Sequence, residues 1–237
     1  MKPVVTPTAV FFDVDFTLIR PGRRFMASGY AETCARHGVP VDEAAFEVAV
    51  SAAAVLLDAP DQRYHDEIFV RYTSRIIELM GGQGPGVVIA AREIYDDWAH
   101  HHHFEMYDDV PGALRELQRQ GVKMGLISNS HRSLVGFQEH FALDGLMTVT
   151  VSSAEFGVMK PDPRIFQEAL DQMQVTAAES VMVGDSLPHD VLGARQIGMR
   201  GVWLDRDRRR ARATDLDVSI PVIESLDELP NLLARGS

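Results

Sequence analysis

Apolar positions along the chain follow two different rhythms. Short unbroken runs appear at Val10-Phe11-Phe12, Lys123 to Ile127, Val181 to Val183 and Gly201 to Leu204, with a weaker one at Met147 to Val151. Runs this short, bounded by polar or turn residues, predict buried strands. Between them the apolar positions switch to helical spacing. Leu114 and Leu117 mark one helix within Gly112 to Gln120, and Ile165, Phe166, Ala169, Leu170 and Met173 share one face of another. A third runs from near Pro188 to the stretch Gly193 to Gly198. Strands alternating with helices predict an α/β fold: a Rossmann-like parallel sheet with helices on both faces.

Residues 20 to 105 break this alternation, because they carry helical stripes and almost no strand signal. The pattern predicts helices over Arg24 to His37, Asp42 to Leu57 and Asp61 to Met80, the last with Ile68, Tyr72, Ile76 and Leu79 on one face. Val87, Ala91, Ile94, Tyr95 and Trp98 form a further stripe. The expected organisation is therefore a core from residues 1–19 and 106–237 and an inserted helical domain over 20–105. The breaks at Pro21-Gly22 and Pro111-Gly112 lie near the crossings.

Composition narrows the function classes. Hydrophobic residues make up 46% and charged residues 24%, which excludes a mostly disordered chain. The 34 acidic residues against 23 basic give a net charge of -11, the wrong sign for broad binding to nucleic acid or an anionic membrane. A single cysteine, Cys34, excludes an intrachain disulfide and a multi-cysteine zinc site. It reads as a small buried residue in a reducing, cytoplasmic setting. No apolar run is long enough to span a bilayer. The histidines at 100 to 103 are consecutive, so on a helix they point around the axis; a solvated helix end is expected there. Arg206 to Arg212 reads as a solvated loop.

Four clusters carry chemistry. Asp13 and Asp15 follow the first strand, where open α/β sheets bind ligands. Two anions this close need a cation or a shared proton, and oxygen ligands suit magnesium; the alternative is that Asp13 caps a turn and Asp15 is solvated. Ser128 and Asn129 end a second strand, where a hydroxyl and neighbouring N–H groups can hold a phosphate oxygen. Lys160 stands before Pro161-Asp162-Pro163 and can present its ammonium to an anion. Asp185 follows a third strand, with Gly184 expected to permit a tight turn and Asp190 five residues on.

In this order the four clusters resemble the haloacid dehalogenase superfamily. Asp13-Val14-Asp15-Phe16-Thr17 is similar to its first motif, Ser128 to its second, Lys160 to its third, and Gly184-Asp185 with Asp190 to its fourth. Asp190-Val191-Leu192-Gly193-Ala194 and Gly198-Met199 also look like this family, and the inserted helices resemble its helical cap. The resemblance covers residues 8 to about 205.

The resemblance implies a magnesium-dependent phosphatase that hydrolyses a small phosphorylated metabolite through an aspartyl-phosphate. Asp13 would be the nucleophile, Asp15 the general acid and base, and Ser128, Asn129, Thr17 and Lys160 the phosphate-binding groups. Metal ligands would come from Asp13, Asp15 (through its backbone carbonyl) and Asp185, with Asp190 orienting Lys160 or a metal-bound water. A phosphomutase would keep the same residues. A 2-haloacid dehalogenase would lack the acid at Asp15, and a non-enzymatic binding protein would be expected to have lost Asp13 or Asp15. One departure is Phe16, where many members have glycine or asparagine; packing beneath the cap is its simplest role. Arg20, Arg23, Arg24, Tyr64 and His65 are candidates to meet the rest of a substrate, each against the plainer reading of a solvated position.

Overall fold

The computed structural model describes residues 7–57, 63–208 and 219–234. In chain order the strands are β1 Ala9–Phe12, β2 Ile19–Pro21, β3 Phe104–Met106, β4 Lys123–Ser128, β5 Met147–Ser152, β6 Ser180–Gly184, β7 Arg200–Leu204 and β8 Val222–Ile223. The helices are α1 Ala27–Arg36, α2 Phe46–Ala53, α3 Asp66–Leu79, α4 Gly86–Asp97, α5 Val110–Arg119, α6 Leu134–His140, α7 Ser153–Phe156, α8 Pro163–Met173, α9 Gly193–Gln196 and α10 Leu229–Ala234. The chain divides into two compact units, Met1–Arg20 with Met106–Ser237, and Pro21–Glu105. Strands β2 and β3 pair with each other as a two-stranded ribbon.

The first unit is built on a six-stranded sheet in the order β5-β4-β1-β6-β7-β8, with every pair parallel. This is the α/β sheet expected from the sequence. All four residues of β1 are fully buried, as a central strand covered on both faces requires. Ala9 and Phe11 point to one face and join Ile165, Phe166, Ala169, Leu170 and Met173 of α8 in one core cluster. Among these, burial of each of the larger side chains, Phe11, Ile165, Phe166, Leu170 and Met173, contributes roughly 1.5–3 kcal/mol. Val10 and Phe12 point to the other face by the two-residue period of a strand. The chain builds outward from β1 on one side through β4 and β5, then on the other through β6, β7 and β8. β1 therefore sits at the point where strand order reverses, which is where such sheets bind ligands.

The second unit is helical. Helix α3 packs against α2 and α4. Phe25, Trp98 and Phe104 form an aromatic cluster with ring centroids 4.4 to 5.0 Å apart. Cys34 is buried, as expected of it. Helix α2 is shorter than the alanine-rich pattern suggests, because Glu43–Ala45 and Ala54–Leu57 on either side wind as tighter 3-10 turns. The predicted helix start at Asp61 lies outside the described residues, as do Arg209, Arg210 and Arg212 of the basic run. Among the described residues no helix is long and apolar enough to cross a membrane.

Two of the candidate substrate-facing arginines pair with acids of this unit. The Arg24 guanidinium donates to Asp97 Oδ2 at 2.6 Å and to Glu93 Oε1 at 2.9 Å. Arg23 pairs with the neighbouring Glu32 at 2.5 Å. Arg36 also pairs with Glu93, and His37 Nε2 lies 2.6 Å from Glu93 Oε2. Burial alone would raise the Glu93 carboxyl, but His37, Arg36 and Arg24 outweigh it and hold it down to about 2. A folded-state value below the unfolded one stabilises the protein above the unfolded value, and that contribution is lost as pH falls from the unfolded value of 4.5 towards 2. Glu93→Gln is therefore expected to lower Tm at neutral pH by about 2–4 °C, or about 1 kcal/mol, since a third of the side chain is open to solvent. Melts from pH 7 to pH 3 check this: the deficit should shrink as the acid limb is entered, and a constant deficit would contradict it.

Candidate active site

The C-terminal edge of the sheet around β1 gathers the polar residues. Phe12 is level with Leu126 of β4 and Val183 of β6, so the three strands end within two residues of one another, and the Asp13 N–H donates to Val183 O at 2.9 Å. Residues 14–19 fold into a tight loop. Leu18 N–H donates to Val14 O at 2.9 Å and Phe16 N–H to Ile19 O at 2.7 Å. The loop places Phe16 in the left-handed region at φ 62°, which favours glycine or asparagine. Its side chain is not packed away as the sequence suggested; the residue is 45% exposed. Phe16→Gly should relieve about 1–2 kcal/mol of strain against about 0.4–1 kcal/mol of added unfolded-chain entropy. A small rise in Tm is expected. A fall would show that the ring carries packing energy.

Lys160 is the hub of the site. Its ammonium donates to Asp13 Oδ1 at 2.6 Å, Asp190 Oδ1 at 2.6 Å and Ile127 O at 2.8 Å. The residue is 2% exposed. Burial pulls its pKa down, but the two carboxylates together outweigh burial and hold it above the usual lysine range. Asn129 fixes the lysine's backbone: its amide oxygen accepts from Lys160 N–H at 2.7 Å and its amide nitrogen donates to Lys160 O at 3.0 Å. The Asn129 side chain is thus committed to Lys160. Asp190 also accepts from Ser186 N–H at 3.0 Å, and burial, opposed by Lys160, pushes its carboxyl up to about 6.

Gly184 is explained by space and not by turn geometry. Its φ is not positive, but a Cβ built there would lie 2.2 Å from Asp190 Oδ2. Gly184→Ala should therefore push Asp190 off Lys160 and lower turnover by about 10–100-fold, the range for displaced supporting groups. Steady-state kinetics on an aryl phosphate check it, and unchanged turnover would show that the Asp190 contact is dispensable.

The remaining residues surround this hub. Thr17 donates its hydroxyl to Asp13 Oδ2 at 3.1 Å and accepts from Asp185 N–H at 3.1 Å, so it links the first and fourth motifs. The carbonyl of Asp185 accepts from Trp203 Nε1 at 2.9 Å. Carboxylate oxygens of Asp13, Asp185 and Asp190 lie within 4.8 Å of one another, an oxygen-donor set of the kind a hard divalent cation takes. The Asp15 side chain is outside that group: its Oδ1 accepts from Arg132 at 2.9 Å. Burial and the Asp13 charge raise the Asp15 carboxyl above its usual range against the pull of Arg132. The Ser128 hydroxyl is buried at the end of β4 and has no hydrogen-bond partner among the described residues.

The comparisons with known proteins bear on this arrangement. The family model described as haloacid dehalogenase-like hydrolase matches residues 10–204. The chain belongs to the haloacid dehalogenase-like hydrolases. It is 30% identical over 237 residues to the zebrafish (Danio rerio) haloacid dehalogenase-like hydrolase domain-containing protein 3, covering 96% of this chain and 97% of that one. It is also 30% identical over 243 residues to a glyceraldehyde 3-phosphate phosphatase from Pyrococcus furiosus, covering 94% of this chain and 90% of the relative. A magnesium-bound putative hydrolase of the same family from Bacillus subtilis superposes with a TM-score of 0.71 at 19% identity, over 96% of this chain and 98% of that one.

Two arginines of this hydrolase support the site although no sequence motif marks them. Arg132, fully buried, holds Asp15. Arg206 is no solvated loop residue: it grips Asp109 with two hydrogen bonds of 2.8 and 3.0 Å and donates to Thr17 O at 2.9 Å. Its guanidinium also lies 3.9 Å over the Tyr107 ring. Arg206 therefore anchors the loop that carries Asp15 and Thr17. Arg20 lies over the same Tyr107 ring, 5.7 Å from its centroid, and Tyr64 hydrogen-bonds Tyr95 at 2.5 Å. His65 stands just before α3 with extended backbone and makes no side-chain capping bond.

Proposed function

We propose that this hydrolase is a magnesium-dependent phosphatase acting on a small phosphorylated metabolite through a phosphorylated Asp13. The observation that carries the reading is the group of Asp13, Asp185 and Asp190 oxygens within 4.8 Å, threaded by the Lys160 ammonium. Three carboxylates around one lysine leave net negative charge, which a divalent cation relieves. Asp13, Asp185 and the Asp15 backbone carbonyl would hold it, and it would offset charge between the carboxylate and the phosphate. The glyceraldehyde 3-phosphate phosphatase relative, matched along nearly all its length, supports the substrate class.

Asp13 attacks phosphorus, the bond to the ester oxygen breaks, and Asp15 gives that oxygen its proton. Asp15 then takes a proton from the water that cleaves the phosphoryl–Asp13 bond, which frees phosphate and restores both acids. Burial raises the Asp15 carboxyl above its usual range, the direction that suits a proton-carrying acid. Arg132 positions it. Thr17 and Lys160 each hold one oxygen of Asp13, so the nucleophile is fixed from both sides. The unpartnered Ser128 hydroxyl, together with Lys160, would bind the oxygens of the transferring group, and Asn129 and Asp190 keep Lys160 in place. The inserted helices would act as a cap that selects the substrate.

Hydrolysis of an aryl phosphate with magnesium, stopped by EDTA, is the expected result. Full activity in EDTA would overturn the metal requirement, and chloride release from a 2-haloacid without phosphatase activity would overturn the reading as a whole. A panel of phosphorylated sugars, glycerols and hydroxy acids then identifies the metabolite.

A further inference from the structure

The four-histidine run does not behave as a regular helix would make it. Helix α4 ends at Asp97, His100 is extended (φ -90°, ψ 109°), and His101–His103 form one 3-10 turn. Asp97, His100 and His103 are spaced by three, and the ligand atoms of all three lie within 4.8 Å of one another. His100 Nδ1 is 3.6 Å from Asp97 Oδ1. The His100 and His103 rings stand nearly perpendicular at 6.1 Å, and the His102 ring is 4.1 Å from that of His103. Imidazoles expected to diverge therefore converge on one carboxylate.

The group is held from behind. Arg24 Nε donates to Asp97 Oδ2 at 2.6 Å, which fixes the carboxylate with Oδ1 towards His100. Arg24 also pairs with Glu93, so part of its charge is neutralised there. His103 is positioned by an edge contact to Phe25 at 5.7 Å and by its carbonyl, which accepts from Gly22 N–H at 2.8 Å. Such outer contacts orient first ligands in protein metal sites.

We propose that Asp97, His100 and His103 form a binding site for a divalent transition metal of the zinc, cobalt or nickel class, separate from the acid cluster at Asp13. Two imidazoles and one carboxylate are a set that such metals take and that magnesium, with its preference for all-oxygen octahedra, does not favour. Three protein ligands leave a position for water or for His102. A bound ion would tie the end of α4 to the turn that leads into β3, and so would stiffen this part of the helical unit.

The test uses the full chain in millimolar magnesium, which occupies the oxygen cluster. Titration with cobalt(II) should give one equivalent with visible absorption of a nitrogen-ligated ion, displaced by zinc, and Tm should rise. His100→Ala and His103→Ala should each weaken binding by about tenfold or more. His100 is exposed, so its variant tests the site without disturbing the fold. His140→Ala, at an exposed histidine elsewhere, and Asp185→Asn should leave the cobalt signal intact. Absence of the signal in the wild type, its persistence in the His100→Ala, His103→Ala double variant, or its loss in Asp185→Asn would overturn the site.

Discussion

Asp13→Asn is expected to reduce turnover by at least about 10⁴-fold while leaving the protein folded. The amide keeps the size of the side chain but cannot attack phosphorus. Lys160 loses one of two carboxylate partners, and the crowding with Asp185 and Asp190 is eased at the same time. The two changes oppose each other in stability, so Tm should stay near wild type. Kinetics on an aryl phosphate and a thermal melt check both halves. Turnover near wild type would remove Asp13 from the chemistry.

Lys160→Met should fail in a different way, losing both activity and stability. Removing one partner of a buried ion pair costs about 3–5 kcal/mol, because the remaining charge is left uncompensated. Here two charges are left, Asp13 and Asp190. Burial already pushes the Asp190 carboxyl up to about 6 with the lysine present. A carboxyl whose folded-state pKa is raised contributes stability below its unfolded pKa and loses it as pH rises through the folded value. The deficit of Lys160→Met should therefore grow from pH 5 to pH 8. Adding Asp190→Asn removes one stranded charge and should recover much of the stability but none of the turnover. Urea titrations at several pH values read the first, and initial rates read the second. A deficit that is flat with pH would show that the lysine acts through packing alone.

The central strands were legible because a strand buried on both faces is a nearly unbroken apolar run, as Ala9–Phe12 and Val181 to Val183 within β6 are in the structure. Edge and short elements were not. β8 has only Val222 and Ile223, too few residues to show a period, and α6 is seven residues long with a glycine inside it. The six-residue π-helix at Leu187–Leu192 has no distinct apolar rhythm of its own and read as part of one helix with α9. In the site, polar residues that end apolar strands stood out, and Asp13, Lys160 and Asp190 lead to one hydrogen-bonded cluster. Arg132 and Arg206 did not stand out, since a buried arginine looks like any other until its distant partner is known: Asp15 is 117 residues from Arg132. The histidine run lies just past the end of α4, where a helix end was expected, but four identical residues could not show that the chain breaks at Asp97 and winds one tighter turn.

Transfer of phosphate to Asp13 is the step on which the whole mechanism rests. Rapid acid quench during turnover of a phosphorylated substrate, followed by borohydride reduction and peptide mapping, reads this directly. An acyl phosphate is reduced to an alcohol, so the account predicts homoserine at position 13 in wild type, dependent on substrate and absent from Asp13→Asn. Rapid turnover with an unmodified Asp13 at every quench time, or reduction mapped to Asp15 or Asp185 instead, would contradict it.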